Sequence, residues 1–159
     1  MQIRKAEAAD LSEIQSLLNA NDLPIQDISK ALIENFLIAE DASGSVIGIG
    51  GLEQLSSSVL LRSLAVVPLA RGTGIARALV ERLEEKASAS GGQDVWLLTT
   101  TAEGFFVRAG YETVRREDVP GEVRSCRQFS ALCPSTAFCM RKRLPAASSA
   151  PNAEQPISD

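Results

Sequence analysis

The sequence contains no histidine, and this absence excludes a large part of enzyme chemistry. Ser-His-Asp and Cys-His relays, HExxH zinc sites and acid-base catalysis by an imidazole are all ruled out. Aromatic residues make up only 4% of the chain, too few for a platform that stacks nucleic-acid bases. The formal net charge of −4 also argues against a nucleic-acid partner, because phosphate contacts need a basic surface.

Cysteine is scarce as well. Cys126, Cys133 and Cys139 give an odd number and no CxxC pair. This pattern favours a reducing compartment over a disulfide framework, and the spacing fits no tight zinc-ligand motif, so we predict no metal. Three thiols in one segment leave open a site for trivalent arsenic, with buried, unreactive cysteines as the simpler interpretation.

Long hydrophobic runs are missing too. No apolar stretch approaches the length of about 18 residues that a membrane helix needs. Charged residues at positions 4, 5, 7 and 10 interrupt the N-terminal segment, so no signal peptide is predicted. We therefore expect a soluble, cytoplasmic protein without a membrane partner.

What the chain does contain is an ordinary globular composition. Its 159 residues, 45% of them hydrophobic, are enough for one self-sufficient core. Only residues 145–159, PAASSAPNAEQPISD, shift in composition, being small, polar and rich in proline. Such a segment cannot bury enough apolar surface to offset its ordering entropy. We predict a folded domain over 1–144 and a disordered tail over 145–159.

Strand and helix patterns alternate through the predicted domain. Capping-box spacings at Asp10 and Glu13, and again at Thr100 and Glu103, predict helix starts, and Pro24 can open a further helix. An amphipathic helix is predicted over 74–88 and a short one within 117–130. Strands are predicted at 1–5, 36–40, 45–54, 59–67, 95–99, 111–114 and 135–142. This order predicts an α/β domain on a mixed, twisted sheet.

The segment most informative about function is residues 61–76, LRSLAVVPLARGTGIA. A buried strand ends at Pro68, and a loop containing Gly72 and Gly74 leads into the amphipathic helix. Glycines let successive N–H groups converge on one point, and the helix N-terminus adds further donors and a positive dipole. The segment lacks both the Gly-Lys-Ser/Thr end of a P-loop and the GxGxxG spacing of a dinucleotide fold. It predicts a different kind of pyrophosphate cradle.

In its context this loop resembles the GNAT superfamily of acyl-CoA N-acyltransferases. The loop sequence RGTGIA matches the family's (Gln/Arg)-x-x-Gly-x-(Gly/Ala) motif, and residues 105–111, FFVRAGY, are similar to its Phe-Tyr-x-x-x-Gly-Phe segment. The resemblance covers about residues 1–144. It implies the GNAT fold, an α+β arrangement whose mixed, mostly antiparallel sheet is flanked by helices, and acetyl-CoA as cosubstrate.

Two narrower resemblances are visible. Residues 61–66 and 97–103 are similar to the catalytic half of N-acetylglutamate synthases. Residues 129–135, FSALCPS, are similar to small GNATs associated with arsenic-resistance operons. That association rests on operon context and implies little about the substrate.

The family resemblance implies a set of backbone contacts to acetyl-CoA. One group of amides would hold the pyrophosphate, those of Arg71, Gly72, Thr73, Gly74, Ile75 and Ala76. A second group lies on the strand before the loop and would pair with the pantetheine arm, namely Leu64, Ala65 and Val66. One amide of this strand would bind the thioester oxygen, and such a preorganised donor is worth about 3 kcal/mol in acyl transfer.

Two side chains that the family often uses for catalysis are absent. The tyrosine that serves as general acid is Phe106 here, and the acidic residue before Leu-Arg-Ser-Leu is Leu60. A thiol with a pKa of about 8.5 is a good leaving group without much help, so the chemistry does not require the acid. The remaining base candidate is Glu53, acting directly or through water, with a solvated strand-end carboxylate as the alternative. Tyr111, the single tyrosine, is expected in the core.

Arg62 interrupts an apolar strand, where a charge must be paired or face a cleft. We predict that it clamps a substrate carboxylate through its bidentate fork, with an internal salt bridge as the alternative. Ser63 beside it is either a substrate contact or a packing residue. Arg124 and Arg127 are further candidate clamps.

These observations predict an N-acetyltransferase that moves acetyl from acetyl-CoA to the primary amine of a small, amino-acid-like substrate by direct attack. Two alternatives remain: an acyl-CoA-binding protein with little turnover, and a thiol-based arsenic binder. The predicted partner is a small molecule, and the oligomeric state, including a homodimer, stays open.

Overall fold

A computed structural model describes residues 1–55, 58–126 and 137–145. Its helices are α1 (Leu11–Ala20), α2 (Ile75–Ala89), α3 (Glu103–Arg108) and α4 (Gly121–Arg124). Its strands are β1 (Gln2–Lys5), β2 (Phe36–Glu40), β3 (Val46–Leu55), β4 (Ser58–Val66), β5 (Asp94–Thr99), β6 (Glu112–Val114) and β7 (Phe138–Arg143). Short 3-10 turns occupy Ala8–Asp10, Leu32–Asn35, Pro68–Ala70 and Arg116–Asp118.

The strands of the described residues form one sheet in the order β1-β2-β3-β4-β5-β7-β6. Neighbours pair antiparallel except β4 and β5, which are parallel. The predicted mixed, mostly antiparallel sheet is confirmed.

The sheet is covered on both faces. Along β2, Phe36 and Ile38 join the apolar cluster beneath α1, while Leu37 and Ala39 join the cluster beneath α2. Consecutive strand residues point to opposite faces, so a strand whose residues are buried without interruption indicates helices on both sides.

Glycines in β3 let α2 pack closely against the sheet. A Cβ added at Gly48 would lie 3.0 Å from Cγ2 of Ile75, and one at Gly50 would lie 2.9 Å from Cδ1 of Leu83. A strand glycine is destabilising in itself, and here the close approach of the helix explains its presence.

The centre of the sheet is irregular where β4 meets its neighbours. The register of β3 and β4 shifts by one residue between the pairs Ile49–Ala65 and Gly51–Arg62, so β4 carries a bulge. Ser63 lies in this bulge at a φ of 60°, a left-handed conformation that non-glycine residues rarely adopt. The bulge interrupts the ladder at Ser63 and Leu64, and pairing with β3 resumes at Ala65 and Val66.

On the other side, β4 pairs with β5 only through Val59–Val95 and Leu60–Trp96 among the described residues. Past these pairs the two strands separate, and residues from both line a cavity between them. The parallel pair thus opens a cleft in the middle of the sheet.

The helix predicted to begin at Pro24 is wrong. Turns follow Pro24 up to the 3-10 turn Leu32–Asn35. Ile28 and Ile33 are buried as a helical stripe requires. Tertiary contacts override the periodicity, because the Asp27 carboxylate is held by Arg62 of the sheet.

Both predictions of a capping box are also wrong, although the helices whose starts they marked are present. The Asp10 carboxylate accepts the Glu7 N–H at 2.7 Å and thus caps the preceding 3-10 turn instead of α1. Before α3, Thr99 Oγ1 accepts the Ala102 N–H at 3.0 Å, so Thr100 is not the cap. The predicted tail over 145–159 lies outside the described residues except for Pro145.

Candidate active site

A cavity of about 770 Å³ lies where β4 ends and α2 begins. Its lining includes all the predicted CoA-binding residues except Thr73. Leu64, Ala65 and Val66 form one wall, and the loop and first turn of α2 form another. The end of α1 and the segment before α3 complete the lining. The sequence therefore located this cavity through one local motif.

The loop that precedes α2 owes its shape to two glycines. Gly72 has a φ of 77° and Gly74 a φ of 86°, and both values are left-handed. A Cβ at either position would meet nothing within 4 Å, so glycine is needed for the backbone angle and not for space. Thr73 acts inside the loop, since its Oγ1 donates a hydrogen bond to the Ala70 carbonyl.

The N–H groups of residues 72–77 donate no hydrogen bond to any described residue. The first N–H groups of a helix have no intrahelical acceptor, and the helix dipole adds a partial positive charge beside them. Arg71 and Arg77 also line the cavity. Free amides, the dipole and two guanidinium groups fit a pyrophosphate, so this cavity is chemically suited to CoA.

Arg71 also ties the loop to the rest of the site. Its Nε donates to the Val66 carbonyl at 3.1 Å, and its Nη2 donates to Oδ1 of Asn21 at 2.6 Å. Asn21 in turn donates through Nδ2 to the Leu17 carbonyl of α1 at 2.9 Å. The end of α1, the end of β4 and the loop are thereby held together around the cavity.

A second cavity of about 340 Å³ occupies the cleft between β4 and β5. Arg62 and Ser63 line it from β4, and Leu97, Leu98 and Thr99 line it from β5. The two cavities share several lining residues and therefore adjoin: Asn21, Asp22, Leu23, Leu64, Thr100, Thr101 and Ala102. A molecule in one cavity can reach a molecule in the other.

Arg62 lines the smaller cavity but is held by two carboxylates. Its Nη1 and Nη2 donate to the two oxygens of Asp27 at 2.6 and 2.7 Å, and Nη1 also donates to Glu53 at 2.8 Å. The side chain is only 1% exposed. Burial alone lowers the pKa of this guanidinium, but Asp27 and Glu53 outweigh it and the net shift is upward. The internal salt bridge that the sequence left as an alternative is present.

This salt bridge does not use every donor of Arg62. A guanidinium has five N–H groups. One points to Ser63 Oγ at 3.3 Å and three serve the carboxylates, which leaves one N–H of Nη2 without an acceptor among the described residues. Arg62 therefore has one N–H available for a substrate carboxylate, and its role in substrate binding stays a prediction.

Glu53 lies one side chain away from the smaller cavity. It is not among the residues that line either of the two cavities, and its carboxylate faces Arg62. Direct contact with a substrate amine is therefore not shown, and a role as base would run through water. This residue remains a candidate and not an observed member of the cavity wall.

The remaining predicted residues divide into buried, exposed and undescribed ones. Leu60 is fully buried against Trp96, and Phe106 packs edge-on against Tyr111 while lining the smaller cavity. Arg124 is exposed on α4 and lines neither cavity. Arg127 lies outside the described residues.

Tyr111 is a core residue, as predicted. It is 3% exposed, and its hydroxyl donates to Oε2 of Glu84 at 2.9 Å. Burial, with the adjacent Glu84 carboxylate, raises the pKa of Tyr111 far above its usual range. A hydroxyl engaged in this way is not a general acid for the cleft.

Two of the three cysteines are described, and both are buried in the apolar cluster around Trp96. Burial raises the pKa of the Cys139 thiol to about 11. A metalloid binds the thiolate, which this environment disfavours at neutral pH. Among the described residues no group of three His, Cys, Asp or Glu side chains is placed to hold a metal, and Cys133 lies outside them.

Sequence reasoning missed three residues around the cavities. Asn21 and Asp22 line both cavities, and Asp27 holds Arg62. All three lie between α1 and the Leu32–Asn35 turn, and Asp27 falls in the segment where a helix was predicted from Pro24. The left-handed φ of 59° at Asp22 marks this segment in the structure, but no motif marks it in the sequence. Of the described helices, none is long and apolar enough to cross a membrane.

Comparison with known proteins identifies the family. The Acetyltransferase (GNAT) domain matches residues 33–113. An uncharacterized N-acetyltransferase of Chlorobaculum tepidum is 32% identical over 141 residues, which cover 86% of this chain and 87% of that protein. An amino-acid acetyltransferase of Mycobacterium tuberculosis is 32% identical over 137 residues, or 80% of this chain and 78% of that protein.

Solved structures share the fold of this chain. The Mycobacterium tuberculosis protein Rv2747, crystallised with CoA and the compound NLQ, superposes with a TM-score of 0.78 at 27% identity, covering 91% of this chain and all of that one. N-acetylglutamate synthase from Neisseria gonorrhoeae, in complex with CoA and N-acetylglutamate, gives 0.78 at 22% identity over 91% of this chain and 35% of that one.

The chain belongs to the GNAT acetyltransferase family. It is an acyl-CoA N-acyltransferase with acetyl-CoA as its cosubstrate, and the larger cavity has the chemistry to bind CoA.

Proposed function

We propose that this acetyltransferase transfers the acetyl group directly to the primary amine of a small, amino-acid-like molecule. The observation that carries the proposal is the pair of adjoining cavities, one suited to CoA and a smaller one in the cleft between β4 and β5. A smaller cavity of about 340 Å³ suits a compact acceptor better than a long polymer. Direct attack needs both substrates bound side by side, which adjoining cavities allow.

The cosubstrate side of the site relies on the backbone. The amides of residues 72–76 would hold the pyrophosphate, whereas the Arg71 N–H, also predicted to do so, donates to the Pro68 carbonyl at 3.3 Å. Leu64, Ala65 and Val66 would pair with the pantetheine arm. The bulge at Ser63 lies just before this wall and interrupts the pairing of β4 with β3, which resumes at Ala65. One β4 amide would stabilise the negative charge that develops on the thioester oxygen during attack. This stabilisation would activate the acetyl group of acetyl-CoA.

On the acceptor side, Arg62 and Ser63 would orient the amine. The remaining N–H of Arg62 Nη2 would donate to a carboxylate oxygen of the acceptor. Amino-acid-like acceptors carry such a carboxylate. Glu53, 2.8 Å from Arg62, would take the amine proton through water. Arg124 and Arg127 remain proposed second contacts, although Arg124 is exposed.

Two relatives favour an amino-acid-like acceptor. One has the name amino-acid acetyltransferase and is 32% identical, and one structural neighbour was solved with N-acetylglutamate. The similarity of residues 129–135 to proteins associated with arsenic resistance remains a sequence-level prediction. A cytoplasmic location and a domain boundary near residue 144 are likewise proposals.

The direct test is an assay with acetyl-CoA and a panel of the standard amino acids. Release of free CoA thiol, above the rate without amine, is the expected result for at least one of them. If no amino acid accelerates thiol release while CoA binds normally, the protein is a CoA binder with little turnover. That outcome would overturn the proposed function.

A further inference from the structure

Asp22 occupies an unusual position at the junction of the two cavities. Among the described residues it is the only acidic one that lines either cavity, and it lines both. The other charged lining residues are arginines: Arg62 in the smaller cavity, and Arg71 and Arg77 in the larger one. A single carboxylate thus lies among cations at the point where the acceptor would meet the thioester.

The backbone at Asp22 is left-handed, a conformation that glycine adopts freely and that aspartate and asparagine adopt more readily than other residues. Its φ is 59°, and it follows the last turn of α1, where its N–H donates to the Asn19 carbonyl at 3.1 Å. The next residue, Leu23, donates its N–H to the Leu18 carbonyl at 3.0 Å. Glycine is the usual residue at such a helix end. A negative charge there opposes the helix dipole, so glycine or asparagine would be more favourable than aspartate at this position.

Neighbouring polar groups do not compensate for this cost. The Asn21 side chain accepts from Arg71 and donates to the Leu17 carbonyl of α1. Arg62 is held by Asp27 and Glu53. The Asp22 carboxylate forms no hydrogen bond or ion pair with any described residue and is exposed at the cavity mouth. An unpaired carboxylate that lines both adjoining cavities and opposes the helix dipole indicates a ligand that carries the opposite charge.

We propose that Asp22 binds the ammonium group of the acceptor and positions its nitrogen at the junction of the two cavities. The inference rests on the proposed function and adds the residue that selects an amine. An amine nitrogen is protonated at neutral pH, so a carboxylate offers it a charge-assisted hydrogen bond. The proton is then lost to water or to Glu53 before attack. Asp22 is therefore a binding residue whose loss affects KM more than kcat.

The test compares Asp22→Asn with Glu13→Gln. Asparagine keeps the shape and tolerates the left-handed backbone, whereas it removes the charge. Glu13 is an exposed acid on α1 that lines neither cavity, so its amide variant controls for net charge. Steady-state rates are measured with each standard amino acid that the wild-type protein acetylates. Calorimetry measures CoA affinity in the same variants.

Asp22→Asn is expected to raise KM for the amine about 10- to 100-fold, the loss of one charge-assisted hydrogen bond, with CoA affinity unchanged. Glu13→Gln should match the wild type. Asp22→Gly should show the same rise in KM with an equal or higher unfolding midpoint, because glycine relieves the backbone strain.

An unchanged KM in Asp22→Asn, with the wild type active, would overturn the assignment of Asp22 alone. Parallel losses of CoA affinity and stability in both Asp22 variants would make it a structural residue and would also overturn it. A wild-type protein that acetylates no amino acid would contradict the proposed function, and this inference would fall with it.

Discussion

Arg62 has the most constrained environment of any charged residue at the site. Its guanidinium is 1% exposed and contacts Asp27 and Glu53. Taking the Arg62 guanidinium out of water is costly, and the cost is offset only while its carboxylate partners, which keep 12% and 25% of their exposure, remain paired with it. This triad fixes β4 to β3 and to the segment after α1, and both β4 and that segment line the smaller cavity.

Arg62→Leu should therefore destabilise the fold, because it leaves two carboxylates without their cation. We expect a loss of about 3–5 kcal/mol in the free energy of unfolding, measured by chemical denaturation. Arg115→Leu is the control, since Arg115 forms an exposed pair with Glu117, and such pairs contribute less than about 1 kcal/mol. Equal stability of the two variants would show that the triad does not hold β4 in place.

Glu53→Gln separates a base from a mere ion-pair partner. If Glu53 removes the amine proton, kcat/KM should fall about 10²-fold near neutral pH and recover in part at high pH, where the amine is already free. Asp27→Asn disturbs the same triad but leaves Glu53 in place. Recovery at high pH in the Glu53 variant only would support the base. The same modest loss in both variants, at every pH, would leave Glu53 as a partner of Arg62.

The sequence identified some residues of the site and missed others, because partners that lie far apart along the chain leave no local pattern. Arg62 stood out because its own strand is apolar. Its partner Asp27 lies 35 positions earlier and belongs to no pattern, so only the folded chain brings the two together. Whether Arg62 faces substrate or a partner acid was therefore undecidable from local sequence.

At the scale of elements, the unit formed by β4, the glycine loop and α2 was predictable because all its determinants are local. An apolar strand, two glycines and an amphipathic stripe follow each other within 59–89. The segment from Pro24 to Ala31 was not predictable in the same way. Its apolar spacing fits a helix, yet long-range contacts of Asp27 and Ile28 decide its shape.

Gly72→Asp tests the loop, and Gly44→Asp is its matched control. Both glycines have a left-handed φ and open space around a Cβ, so the backbone cost of aspartate is similar. Only Gly72 lines the larger cavity. The new carboxylate at 72 should repel the pyrophosphate and raise the calorimetric Kd for CoA at least about tenfold. Equal CoA affinity in the two folded variants would refute the cradle.

At the scale of the whole molecule, function depends on where the sheet is irregular. A fully paired sheet would have no cleft at its centre. The bulge in β4 and the short ladder between β4 and β5 open one, and helices on both faces leave it accessible at the end where α2 begins. The sequence of strands and helices along the chain and the family were foreseeable from the sequence, but the order of strands in the sheet and the relation of the two cavities required the structure.

The proposed function depends on one step, the transfer of acetyl groups to a small amine bound beside acetyl-CoA. The most direct measurement is mass spectrometry of mixtures containing acetyl-CoA, the standard amino acids and either wild-type protein or Gly72→Asp. With the wild-type protein we expect an N-acetylated amino acid that accumulates in step with free CoA. With Gly72→Asp we expect this product to be absent or strongly reduced. An absence of any acetylated amino acid, or equal product from the wild type and the variant, would contradict the proposed function.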